Sequence, residues 1–313
     1  MSVMRRFRLL PGLCRFSLPG TSVQLGSDPE LALQLELPDK RFIELLDRLD
    51  TWLDEAAYAV TAKRLGVRME HATAMLEQLR GAGLLLDTDA LSPDGTGADR
   101  RSPLTPETQA LVLRRGKAPG PVLARRRRQR VFVNGTGRLA QRAAEILRES
   151  ELGRVWCANE SRRSKATLTV LINSSQPSVL TARAHARRER PYLSVNIMDG
   201  LVNVGPLVQP GRGPCVRCVE LHHLDAVPQW RTAVGFDNDE GEPIEATVRG
   251  LSAAIIASSV LQHIDGEHCE AEAATVQVRP SLTMIRRTWT PHPKCGCMPI
   301  RPHEDAVVSQ GRS

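Results

Sequence analysis

Two pairs of closely spaced cysteines, far apart in the chain, most constrain how this sequence can fold. Cys215 and Cys218 lie in GPCVRC, and Cys295 and Cys297 lie in HPKCGC. Tetrahedral zinc takes four thiolates at ~2.3 Å, and two close pairs arriving from separate loops can supply them, because a short spacing lets both sulfurs of a pair face one ion. The first pair has the common two-residue spacing. The second has a single intervening residue, Gly296, whose missing Cβ frees the turn. The reading is a structural Zn2+ clamp on Cys215, Cys218, Cys295 and Cys297, with a redox dithiol at Cys215 and Cys218 or four unmetallated thiols as the alternatives. Cys14, Cys157 and Cys269 stand alone and read as buried small hydrophobes. His222 and His223 read as helix residues, since four thiolates already fill a closed site.

Metal rather than disulfide is the expectation in a reducing compartment, and the sequence points to one. No leading segment pairs a charged start with an export-length apolar run. The longest apolar stretch of small residues, LSAAIIASSVL at 251–261, falls short of the ~18 residues a membrane helix needs. The expectation is a cytoplasmic protein that does not contact a membrane. The net charge of +7 is local: residues 114–130 hold eight Arg or Lys and no acid, and without them the rest would carry −1. That run reads as a solvated linker, interrupted by Pro119, Gly120 and Pro121. Aromatic residues at 4% argue against a nucleic-acid platform built on stacking.

A chain of 313 residues exceeds the usual single domain. Residues 1–90 open with short apolar runs bounded by Pro and Gly (FRLLPGLCRFSL, SVQLG, LALQLEL), which read as a small meander. Three helices follow. The first carries Phe42, Leu45, Leu46 and Leu49 on one face, the second stops at Gly66, the third ends at Gly81 and Gly83, and LLLD closes them as a strand. This is a winged-helix-like pattern. A DNA-binding regulator is one function it allows, but the last helix sets Glu70 and Glu77 against Arg68 and Arg80, and nucleic acid is the unlikely partner. Residues 91–129 read as a linker with one short helix near PETQALVL.

From 130 the pattern alternates strand and helix. RVFVN runs through a Gly-containing turn into a helix with Ala143, Ile146 and Leu147, then a strand at RVWCA. ATLTVLIN and PYLSVNIM are further strands around a helix at SVLTARAHARRE. TVRGLSAAIIASSVLQHIDG is a long buried helix, and ATVQVRPSLTMIRRTW a closing hairpin with alternating faces. The fold class is α/β, with a mainly parallel, helix-covered sheet and a zinc knuckle over 130–303, and a tail at 304–313.

The ordered set GTGRLA, GPLVQPGRGPCVRCVEL, VRGLSAAIIASSVLQHIDG and PHPKCGC resembles the ThiF family, the ubiquitin-activating-enzyme-like adenylyltransferases. Residues 1–90 resemble the leader-peptide-binding domain that precedes such a fold in bacteriocin and azoline peptide biosynthesis. The resemblance implies a Rossmann-like nucleotide fold, a homodimer, and ATP with Mg2+ as cofactors. It places Gly135, Gly137 and Arg138 at the phosphates and Glu160 at the ribose. The chain departs from the family pattern where Arg138 and Ala140 replace later glycines and where Ser175 stands in the place of the magnesium aspartate. A hydroxyl cannot supply that charge. No catalytic residue can be assigned, and whether the chain is an enzyme stays open. Its implied role is to bind a precursor leader peptide and present it to a separate YcaO-type cyclodehydratase with adenylation lost. The runner-up is an active adenylyltransferase acting on a C-terminal carboxylate, and an NAD-dependent oxidoreductase rests on the Gly turn alone.

Overall fold

The computed structural model describes residues 6–28, 32–88, 106–115, 119–158, 165–173, 178–229 and 242–297. It divides into two compact units, Met1–Arg125 and Arg126–Ser313, each with its own apolar core.

In the first unit the opening strands do not form one meander. β1 (Arg6–Leu9) is the centre of a small antiparallel sheet, flanked by β5 (Leu53–Asp54) and β6 (Leu85–Asp87). β2 (Arg15–Ser17), β3 (Ser22–Leu25) and β4 (Leu33–Glu36) form a second antiparallel sheet with β3 in the middle. The break falls at Pro11 and Gly12, where Gly12 takes φ 82° and redirects the chain.

The helices follow the sequence pattern closely. α1 (Lys40–Arg48) starts at Asp39, whose carboxylate accepts the Arg41 N–H at 2.8 Å. It buries Phe42, Leu45 and Leu46, and Leu49 joins the same core just after it ends. α2 (Glu55–Arg64) is capped by Asp54, which accepts from the Ala57 N–H at 2.8 Å. α3 (Met69–Gly81) buries Ala72, Met75, Leu76 and Leu79, spaced as one helical face. Each fully buried Leu or Phe of this core contributes about 1.5–3 kcal/mol from area removed from water.

The segment read as a linker holds α4 (Pro106–Arg115) and α5 (Gly120–Arg128). Pro121 does not interrupt α5, because it stands in the first turn, where a missing N–H costs no intrahelical bond. Nor is the arginine run wholly solvated: the Arg126 side chain is 1% exposed and pairs with Asp265.

The second unit is built on a seven-stranded sheet of order β13-β12-β11-β10-β9-β7-β8. Its strands are β7 (Arg130–Asn134), β8 (Arg154–Cys157), β9 (Leu168–Ile172), β10 (Tyr192–Met198), β11 (Leu201–Val208), β12 (Ala274–Val278) and β13 (Met284–Thr288). β8, β7, β9 and β10 are parallel neighbours, whereas β10 to β13 pair antiparallel. The sheet is therefore mixed rather than mainly parallel. The cause is local: Asp199 (φ 53°) and Gly200 (φ 75°) make a two-residue turn with both φ positive, which forces β11 back along β10. The expected alternation of the closing hairpin holds for β12 but not for β13, an edge strand with every side chain exposed.

α6 (Arg138–Glu149) links β7 to β8, and α7 (Ser178–Ala186) links β9 to β10. α8 (Val216–Ala226) and α9 (Ala246–Asp265) follow β11. The core gathers Val131, Val133, Val170, Leu193 and Val195 of the sheet with Leu139 and Ala143 of α6 and Ile256 and Val260 of α9. Among the described residues, no helix is long and apolar enough to cross a membrane.

Candidate functional site

Two places in the second unit bring chemically capable groups together. The first is the thiol cluster. Cys215 is the N-cap of α8 and Cys218 lies in its first turn, so this pair is on a helix start rather than wholly in a loop. Cys295 and Cys297 come from the turn after β13, where Gly296 takes φ 67° and lets the second sulfur point back. The Sγ atoms of Cys215 and Cys218 are 3.9 Å apart, Cys215 and Cys295 3.5 Å, and Cys218 and Cys297 3.4 Å, with all four within 4.8 Å of one another. Four sulfurs bound tetrahedrally to zinc would be ~3.8 Å apart.

Four thiols in this space cannot ionise independently. The hydrogen bond with Cys215 pulls the Cys218 thiol down to about 4. The same bond, then burial, pushes Cys215 up. Burial raises Cys295 to about 12 and also raises Cys297. One thiolate, favoured by the positive end of α8, suppresses the others, and a divalent cation at the centre would stabilise all four. The donor set fits structural zinc and leaves no open position for a substrate.

The supporting shell keeps the histidines out of the ligand set. The His292 Nε2–H donates to Asp225 at 2.8 Å and its Nδ1 accepts the Lys294 N–H at 3.1 Å, which fixes its tautomer. His222 and His223 are on α8, as expected: His222 donates to the Thr290 carbonyl at 3.0 Å, and both rings pack on Trp289. These contacts hold the Cys295 loop against α8. Of the three lone cysteines, Cys269 is buried, Cys157 is half-buried and Cys14 is exposed, contrary to the expectation for Cys14.

The second place is the β7–α6 turn, where Gly135 and Gly137 lie at the switch in strand order between β9 and β7. A Cβ on Gly135 would meet the Cβ atoms of Ile172 at 3.0 Å and Ala140 at 3.1 Å, so Gly135 has a packing reason of its own. Gly137 is the N-cap of α6 and Arg138 is its exposed first residue. The α6 start carries an anion already: Glu242 accepts the Leu139 N–H at 2.9 Å. A Cβ on Gly137 would fall 1.9 Å from Glu242 Oε1. Sequence reasoning missed Glu242, which is 103 residues from Leu139 and has no motif around it. Glu160 and Ser175 lie outside the described residues.

No family model and no curated protein sequence matches the chain. Solved structures do. Escherichia coli MccB superposes at TM-score 0.59 and 13% identity over 94% of this chain and 100% of its own. The heterocyclase TruD superposes at TM-score 0.67 and 16% identity, over 94% of this chain but 43% of TruD. The chain shares its fold with MccB and TruD. The expected ThiF-type fold is the fold observed. MccB, a microcin C7 biosynthetic enzyme, has been solved with ATP at TM-score 0.58 and 13% identity, over 93% of this chain and 99% of its own.

Proposed function

We propose that this protein serves in the biosynthesis of a ribosomally made, modified peptide of the bacteriocin or azoline type, binding the precursor's leader and presenting it to a separate YcaO-type cyclodehydratase. Residues 1–90 would form the winged-helix-like recognition domain and 130–303 the ThiF-like domain, stiffened by zinc on Cys215, Cys218, Cys295 and Cys297. The observation that carries the peptide-binding part is the free edge of β4. β4 pairs only with β3 among the described strands, and a groove of about 820 Å³ runs beside it. Leu18, Leu33 and Leu35 line it together with Gln78 of α3 and Ala82 just after that helix. An extended peptide fits such a place as an added strand, with backbone hydrogen bonds supplying affinity and side-chain pockets supplying choice.

MccB has been solved with MccA and TruD is a heterocyclase, which supports a peptide-modifying setting for this fold. Adenylation is the part this chain would have lost, since a carboxylate holds the α6 start where a phosphate would be seated. Homodimerisation is carried by resemblance. The test is titration of fluorescein-labelled leader segments of candidate precursors, taken from short open reading frames neighbouring the gene, read by anisotropy. Ala82→Trp, a change at an exposed groove position, should weaken binding roughly tenfold or more. A leader that fails to bind the wild type, or binds Ala82→Trp equally well, overturns the reading.

A further inference from the structure

We propose that the Glu242 carboxylate is a built-in plug: it occupies the anion-binding end of α6 and shuts the Gly135–Gly137 cradle to pyrophosphate and to the phosphates of a nucleotide. The proposal deepens the reading above by giving the loss of adenylation a physical cause, and it rests on contacts that involve no peptide.

A helix that opens directly after a parallel strand, at the point where strand order reverses, presents free N–H groups that α/β folds use to hold phosphates. α6 opens that way after β7, with β9 and β8 on either side of β7. Here the Leu139 N–H is taken by Glu242 at 2.9 Å. Space is taken as well as the donor. A Cβ on Gly137 would lie 1.9 Å from Oε1, 2.3 Å from Cδ and 2.9 Å from Cγ of Glu242, so this side chain fills the volume over the glycine, which is where a phosphate must come close to the backbone. An incoming phosphate would also meet a like charge. The plug is anchored at its base: the Glu242 carbonyl accepts the Ile244 N–H at 2.8 Å, and Ile244 is buried in the core of the second unit. The carboxylate is thus delivered to the helix end by a turn that the core holds in place.

The test is calorimetric titration of full-length wild type, Glu242→Ala and Glu242→Gln with Mg-ATP and, separately, with inorganic pyrophosphate. Glu242→Ala removes charge and bulk and should bind pyrophosphate at least roughly tenfold more tightly than wild type. Glu242→Gln keeps an oxygen for the Leu139 N–H and most of the bulk, so it should gain less. Wild type binding as tightly as Glu242→Ala overturns the proposal, and so does the absence of any gain in both variants. Should circular dichroism show Glu242→Ala unfolded, Glu242→Gln decides: a gain supports the plug and none refutes it. The labelled leader titrated into the same preparations should bind all three alike. A wild type that ignores the leader while Glu242→Ala gains pyrophosphate would sink the proposed function and leave the plug standing.

Discussion

Asp265→Ala should be among the most damaging single changes in the second unit. Arg126 and Asp265 form a two-pronged pair, Nε to Oδ1 at 2.9 Å and Nη2 to Oδ2 at 2.7 Å, with side chains 1% and 0% exposed. Arg126 also donates to the Ser150 carbonyl at 3.2 Å, so its guanidinium is fixed on more than one side. Removing the carboxylate takes the two-pronged Asp265 partner from a fully buried guanidinium, a loss of about 3–5 kcal/mol. For a unit of this size each kcal/mol moves the midpoint by about 2–4 °C, so calorimetry should show the melting of this unit fall by roughly 6–20 °C. The double change Arg126→Met with Asp265→Leu removes both charges and keeps apolar bulk, and it should recover most of that loss. A drop of under about 2 °C in Asp265→Ala, or a double variant less stable than the single one, refutes the reasoning.

Elemental analysis of purified protein should find about one zinc per chain, and Cys215→Ser or Cys295→Ser should lower both zinc content and melting temperature, because metal binding and folding are linked. Full stability without any bound metal would count against the clamp. Gly137→Ala should destabilise by about 1 kcal/mol in urea, since its Cβ, 1.9 Å from Glu242 Oε1, expels the carboxylate that caps α6. Acid should weaken the second unit through its buried histidines. Burial pushes His185, His223 and His263 down, so each favours the neutral form in the fold. The stability they confer is whole above about pH 6.5 and declines as pH falls below it, and His185→Phe should flatten that slope in melts run across this range.

What could be read from sequence is what short-range pattern encodes. The apolar face of α1 at Phe42, Leu45 and Leu46 and the stop at Gly66 both depend on neighbours within a few residues. The cysteine pairs were legible because each pair is itself a local signal, although their convergence had to be inferred. Long-range partners left no such trace. Arg126 looks like any member of a basic run until Asp265, 139 residues later, is placed beside it. Glu242 has no distinguishing neighbours, and only the fold shows that it caps α6. β11 was not read as a strand because Gly205 and Pro206 interrupt its apolar run, yet it holds a place inside the sheet. β1 leaves the meander to pair with β6, as in Phe7 with Asp87, and the Arg6 N–H also donates to the Thr88 hydroxyl, 82 residues on.

The spacing within the thiol cluster also has a consequence during translation. Cys215 leaves the ribosome 80 residues ahead of Cys295, an interval in which α9, β12 and β13 are made. Throughout that interval the nascent chain carries Cys215 and Cys218 as a bare vicinal dithiol, open to oxidants and to stray thiophilic ions. The cluster is complete only after the final strand of the sheet, so a message cut short before Cys295 yields a polypeptide that keeps two of the four thiols and can never assemble the rest.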